Sequence, residues 1–163
     1  MSLPRIHIAP PAATDRSIVA DLLGRQFGEH DIAIHREALL SAIDGVLADE
    51  RRGILLLARH DAEAIGVAYV SFTWSLEHGG KSAWLEELYV LPQWRGRGIG
   101  GSMLDSVLEE ARRRGCAAVD LEVDSAHARA SHLYARHGFA RHSRARWVKI
   151  LNRHAPANRE APT

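Results

Sequence analysis

One cysteine, Cys116, stands in 163 residues. A lone cysteine cannot form an internal disulfide framework or a Cys-x-x-Cys metal pair, and it fits a reducing compartment. No run approaches the roughly 18 consecutive apolar residues that a membrane-spanning helix requires. The first eleven residues, Met1 to Pro11, lack an apolar signal core. The formal net charge is only +1, so no bulk attraction to nucleic acid or to a membrane surface is implied. No internal repeat, low-complexity tract or linker divides the chain. These absences predict a soluble, cytoplasmic protein with one folded domain, residues 5–152, and a tail, residues 153–163. Charge is uneven along it. After Ser125 eight basic residues (Arg129, Arg136, Arg141, Arg144, Arg146, Lys149, Arg153, Arg159) face one acid, Glu160. They form either a solvated basic face or an anion-attracting rim.

What is present reads as an alternation of short strands and helices. Ile6 and Ile8 give a first strand ending at Pro10-Pro11. Helical spacing follows over 12–28 and again over about 35–49, with Leu39, Leu40, Ile43 and Val46-Leu47 on one face. Strands are expected at 53–59, 64–76 and 82–91, joined by turns at 60–63 and 77–80. Ile99, Met103, Leu104, Val107, Leu108 and Ala111 mark an amphipathic helix that Gly115 ends. A buried strand at 116–123, a helix at 126–137 stopped by Gly138, and an arginine-rich, interrupted strand pattern at 139–151 complete the order. Hairpins come first and a βαβ unit late, which indicates a mixed α/β sheet.

The stretch Trp84 to Gly101 carries the chemistry. An apolar strand holds two carboxylates, Glu86 and Glu87. Pro92 ends it, and Gly96, Gly98, Gly100 and Gly101 interleave with Arg95 and Arg97 before the amphipathic helix. Glycines let backbone approach an anion closely. The first N–H groups of a helix lack intrahelical partners and point at such a ligand. Arginines add charge-assisted hydrogen bonds. The loop fails as a P-loop, since no Gly-Lys-Ser/Thr follows. As Gly96-x-Gly98-x-x-Gly101 it matches the dinucleotide fingerprint, with Asp120 or Glu122 at a suitable distance. The preceding hairpins argue against that fold.

Gln93-x-x-Gly96-x-Gly98, continuing to Ile99-Gly100, is similar to the acyl-CoA motif of the GCN5-related N-acetyltransferases, and Arg95-x-x-Gly98-x-Gly100 fits it in an overlapping register. Ala130-x-x-Leu133-Tyr134-x-x-x-Gly138-Phe139 resembles that superfamily's second hallmark. The resemblance spans nearly the whole chain, from Arg5 to Leu151. It implies a GNAT fold: a mixed, mostly antiparallel sheet of six to seven strands, splayed between strands 4 and 5 and flanked by about four helices. It implies acetyl-CoA as cosubstrate and no metal. Pantetheine would lie against the backbone near Leu88 and Val90, and the pyrophosphate would sit on the backbone N–H groups of Arg95, Gly96, Arg97, Gly98, Ile99 and Gly100, with Gln93 and Gly101 also in the cofactor site.

The implied reaction is direct transfer of acetyl to an amine. The backbone N–H of Val90 would polarise the thioester oxygen, and Tyr134 would protonate the departing thiolate. Three carboxylates compete as base. Strict strand alternation puts Glu86 on the face of Leu88 and Val90, and Glu87 on the other. Several branches of the family place the base four residues before the position of Val90, which is Glu86. Glu122 stands where members acting on N-terminal amines carry a glutamate. Glu87 and Glu122 are therefore expected as base or as contacts to the substrate ammonium. His127 departs from the family, which usually has asparagine there; a histidine can still hold the cofactor arm. The acceptor would be a small-molecule amine such as a polyamine or aminoglycoside, or a lysine or N-terminal amine, with homodimerisation left open. A non-catalytic acyl-CoA-binding module and a nicotinamide-dependent oxidoreductase are the alternatives.

Overall fold

Ile54 to Ala58 are buried on both sides of their strand, and side-chain alternation divides them between two cores. Ile54, Leu56 and Ala58 face one cluster; Leu55 and Leu57 face the other. A strand apolar on both faces must lie inside a sheet covered on both sides. The computed structural model, which describes residues 5–124 and 126–152, has this arrangement.

The order is β1 (Ile6–Ala9), α1 (Arg16–Glu29), α2 (Arg36–Ala48), β2 (Gly53–His60), β3 (Glu63–Ser75), β4 (Gly80–Val90), α3 (Ile99–Arg113), β5 (Val119–Leu121) and α4 (Ala128–Arg136). The five strands lie in sequence order, β1-β2-β3-β4-β5. All pairings are antiparallel except β4 with β5, which is parallel. A sheet with one parallel pair is not the doubly wound sheet of a dinucleotide-binding fold.

α3 covers one face and α1 with α2 the other. Met103, Leu104 and Val107 of α3 are wholly buried against β2, β3 and β4. Gly66 on β3 makes this approach possible: a Cβ there would stand 2.8 Å from the Tyr89 carbonyl and 2.9 Å from Met103 Sδ. On the other face Val19, Leu22 and Leu23 of α1 and Leu39 and Ile43 of α2 pack on Val67 and Tyr89.

Two features depart from expectation. The sheet has five strands rather than six to seven, because residues 139–152 form no strand. Those residues also make no backbone–backbone hydrogen bonds among the described residues beyond Phe139 N–H to Tyr134 O. The second departure lies within β4. Tyr69 pairs with Glu87 but Val70 pairs with Leu85, so Glu86 is an extra residue, a β-bulge.

The pairing of β4 with β5 is short. Ala83, Trp84 and Leu85 oppose Val119, Asp120 and Leu121, and there it stops. Among the described residues β4 runs on to Val90 with no partner on that side, the side on which the splay between the fourth and fifth strands was expected. The expected tail, 153–163, lies outside the described residues.

Candidate active site

The open flank of β4 begins with its backbone. Leu91 N–H donates to Ile65 O at 2.9 Å, so in an antiparallel ladder Leu88 and Val90 turn their N–H groups away from β3, toward the splay. The carbonyl of Val90 is already taken by Arg95 Nε at 2.8 Å.

After Val90 a single 3-10 turn, Pro92–Trp94, leads into the glycine loop. Gly96 and Gly98 have φ of 74° and 80°, where a side chain would be strained. Gly98 is the N-cap of α3, and no side chain caps that end. The first bond of the helix runs from Ser102 N–H to Gly98 O at 3.0 Å. The N–H groups of Ile99, Gly100 and Gly101 therefore lack intrahelical acceptors. A Cβ at Gly98 would meet nothing, so the cradle is open above the helix end. Open N–H groups at a helix N-terminus fit a diphosphate.

Side chains around the loop divide by commitment. The side chain of Ile99 is buried in the core, leaving only its backbone for a ligand. Gln93 is exposed on the loop. Arg97 lies over the Trp94 ring at 4.9 Å. Arg95 is exposed, and its Nη2 donates to both carboxylate oxygens of Glu29, at 2.9 and 3.1 Å. Tyr89 Oη donates to the same Glu29 at 2.8 Å. Burial pushes Glu29 up, but the hydrogen bonds from Arg95 and Tyr89 outweigh it and hold the carboxylate below its usual range. Arg129 of α4 also comes to the loop, 3.9 Å from where a Gly96 Cβ would stand.

α4 packs on the start of α3 through Leu133, which would stand 3.7 Å from a Cβ at Gly100 or Gly101. The helix stops at Gly138, with φ of 84°. The chain then folds back: Phe139 N–H bonds Tyr134 O at 3.1 Å, and the two rings meet edge to face with centroids 5.8 Å apart. Leu133-Tyr134 and Gly138-Phe139 are thus one unit. Leucine anchors α4, glycine ends it, and phenylalanine fixes the ring of Tyr134. Burial raises the Tyr134 pKa, and the charge of Glu87 raises it further.

The bulge corrects the expected facing of the carboxylates. Leu85 packs in the same cluster as Leu88 and Val90, which strict alternation forbids. Glu86 consequently leaves the face of Leu88 and Val90 and accepts a hydrogen bond from Ser71 Oγ at 2.8 Å, exposed to solvent. Glu87 is half-buried. Burial, then the neighbouring charge of Glu86, raise its pKa from 4.5 to about 7; the Arg146 guanidinium pulls back only in part. Glu87 and Tyr134, the latter raised in part by the charge of the former, are the two groups of perturbed acidity beside the open flank of β4.

Glu122 is joined to Glu87 through the charge of Arg146, which acts on both. Glu122 is exposed and accepts a hydrogen bond from Arg146 Nη1 at 2.8 Å. His127 is the exposed N-cap of α4, with its ring edge-on to His30 at 5.1 Å. Arg146 and Arg129 were named in the sequence only within the basic excess, and Glu29 and Ser71 not at all. No local pattern marks the last two.

A family model for the acetyltransferase (GNAT) family matches residues 18–139, from α1 to the turn after α4. The chain belongs to this family. Among curated GNAT relatives, the aminoglycoside N(6')-acetyltransferase type 1 of Stenotrophomonas maltophilia is 35% identical over 90 residues, 52% of this chain and 59% of that protein. The thialysine N-epsilon-acetyltransferase of Mus musculus is 38% identical over 55 residues, 34% of this chain and 30% of that protein. The chain thus matches well under two thirds of the length of these relatives. The fold is shared with solved structures. An aminoglycoside N-acetyltransferase in complex with CoA superposes with a TM-score of 0.78 at 19% identity, over 91% of this chain and 96% of that one. A predicted acetyltransferase with acetyl-CoA from Clostridium acetobutylicum gives 0.76 at 20% identity, over 92% and 99%.

Proposed function

We propose that this GNAT protein is an acetyl-CoA-dependent N-acetyltransferase acting on a cationic amine, with Glu87 as general base and Tyr134 as general acid. The observation that carries the reading is the raised pKa of these two half-buried groups beside the open flank of β4, in a family of acetyltransferases.

Acetyl-CoA, when bound, supplies the acyl group as a thioester. The N–H groups at the start of α3, with Arg129 beside Gly96, would hold its diphosphate. The outward N–H groups of Leu88 and Val90 would hold its arm, and that of Val90 would polarise the thioester carbonyl. An alkylammonium must lose a proton before its nitrogen can attack. A carboxylate with a pKa near 7 accepts that proton more readily than one near 4.5, and half of its population is ionised at neutral pH. Tyr134, kept neutral by burial, has a proton to deliver to the departing sulfur. Glu86, solvent-facing beside Glu87, would attract the ammonium by its charge.

This assigns the base to Glu87 where strand alternation had favoured Glu86. The bulge and the difference in burial support the change. An acceptor with a primary amine among other positive charges suits two adjacent carboxylates. Two relatives are named for amine acceptors, an aminoglycoside and thialysine. A panel of polyamines, aminoglycosides, lysine derivatives and peptides, read by release of free thiol from acetyl-CoA, tests the function. Turnover with a polycationic amine is expected. Thermal stabilisation by NADH and not by acetyl-CoA would overturn it.

A further inference from the structure

α1 ends on an acid. Glu29 is its last residue, and no basic residue stands in its last turn. A carboxylate there meets the negative end of the helix dipole, which disfavours it. Its ion pair with Arg95 does little to offset this: the two side chains are 39% and 40% exposed, and exposed pairs contribute little to stability. Glu29 serves neither its helix nor the fold, so its use lies in what it holds. Its Oε1 accepts from Tyr89 Oη at 2.8 Å, and both its oxygens accept from Arg95 Nη2. The guanidinium also lies over the Tyr89 ring, 5.3 Å from the centroid. α1, β4 and the glycine loop thus meet at one carboxylate.

Arg95 passes this hold on to the peptide that ends β4. Its Nε donates to Val90 O at 2.8 Å. The other end of the same peptide, Leu91 N–H, donates to Ile65 O of β3 at 2.9 Å. A peptide unit is planar, and its C=O and N–H point opposite ways. Gripped at both ends, this one cannot tilt. Among the described residues no strand pairs with β4 on its open flank at this point, so Arg95 does there what a neighbouring strand does elsewhere in the sheet. The peptide one step back carries the outward N–H of Val90. Its direction is set by how Val90 is held, and Val90 is held by the gripped peptide ahead and by its pairing with Gly66.

We propose that Glu29 is a positioning residue for acetyl transfer. Through Arg95 it fixes the Val90–Leu91 peptide, and with it the direction of the Val90 N–H that polarises the thioester carbonyl. The proposal rests on the acetyltransferase reading above. Glu29 itself touches no reacting atom. Arginine is long and rich in rotamers, so a lone Arg95 would hold Val90 O only part of the time. The two oxygens of Glu29 and the face of Tyr89 leave its guanidinium one orientation. A donor aimed at a developing oxyanion must be in place before the reaction, and small misplacements are costly.

Glu29→Gln, Arg95→Gln and the double variant test this on the full chain, by steady-state kinetics and by hydrogen exchange of single amides. In Glu29→Gln kcat is expected to fall at least roughly tenfold, with KM for the amine moving less than about twofold. The double variant should be no slower than the slower single by more than about twofold, because both substitutions release one tie. Exchange reads the tie without any turnover. The Leu91 amide should lose protection at least roughly tenfold in Glu29→Gln, while the amides of Met103 and Val107 in α3 keep theirs. A merely structural role would speed exchange in α3 as well and would make the two losses multiply. An unchanged kcat, an unmoved Leu91 amide, or losses that multiply in the double variant would overturn the proposal. A parent that acetylates no amine would overturn the acetyltransferase reading and with it the catalytic use of the tie; the Leu91 amide still decides whether Glu29 holds that peptide.

Discussion

The glycine cradle, beyond Val90, and the carboxylates, three and four residues before it, are the two ends of the candidate site along β4 and are built by different means. The cradle is backbone. Its geometry follows from two glycines with positive φ and a helix end with no side-chain cap. The carboxylate end is side chain. Its chemistry depends on which way Glu86 and Glu87 point, and one extra residue in β4 decides that. A backbone site tolerates change in most of its side chains and none in its glycines. A side-chain site depends on individual groups and on their burial.

The largest expected effect separates the two ends. Glu87→Gln should lower kcat by about 10²–10⁴-fold, the usual contribution of a general base, with little change in KM for acetyl-CoA. Steady-state kinetics with acceptor saturating checks it; an unchanged kcat would remove Glu87 from the chemistry. Gly98→Val should act at the other end. A β-branched residue at φ near 80° costs about 1–2 kcal/mol or more and crowds the cradle. KM for acetyl-CoA should rise at least roughly tenfold and Tm should fall, as isothermal titration and thermal melting would show. If Gly98→Val alters kcat alone, the cradle is misassigned.

Glu86→Gln is expected to do less. Removing its charge takes away one of the two influences that raise Glu87, so the pKa governing the acid limb of kcat/KM should move down from about 7. KM for a cationic acceptor should rise a few-fold. The smallest effect is on stability. The folded-state pKa of Glu87 lies above its ordinary value of 4.5, so the folded protein binds the extra proton between about 4.5 and 7. That contribution is fully present below about 4.5 and is lost as pH rises through about 7. Tm of the parent should therefore fall over this window by more than Tm of Glu87→Gln. Identical slopes in thermal melts would contradict the burial of Glu87.

The same contrast explains what was legible in the sequence. Glycine spacing constrains backbone directly, so the cradle could be read, as could the period of α3 from Ile99 to Ala111. Leu133-Tyr134 and Gly138-Phe139 could be read because one helix end ties them together. The order of elements through β5 followed from the hairpin and helix patterns, whereas the splay was expected only from the family resemblance. The bulge could not be read. Nothing in Trp84-Leu85-Glu86-Glu87-Leu88 distinguishes an extra residue from plain alternation, because a bulge depends on the partner strand, here at Tyr69 and Val70. The engagement of Arg95 by Glu29 was hidden for a similar reason: 66 residues separate them. The strand expected at 139–151 has the composition but not the pairing. Composition says which residues suit a sheet and not which edge they find.

The central claim is that Glu87, and not Glu86, takes the proton from the amine. The most direct test is kcat/KM against pH for the parent, Glu86→Gln and Glu87→Gln at saturating acetyl-CoA. The parent should rise through a pKa near 7, Glu86→Gln should keep that rise at a lower pH, and Glu87→Gln should be slow with the rise gone. The rise surviving in Glu87→Gln and vanishing in Glu86→Gln would contradict the account.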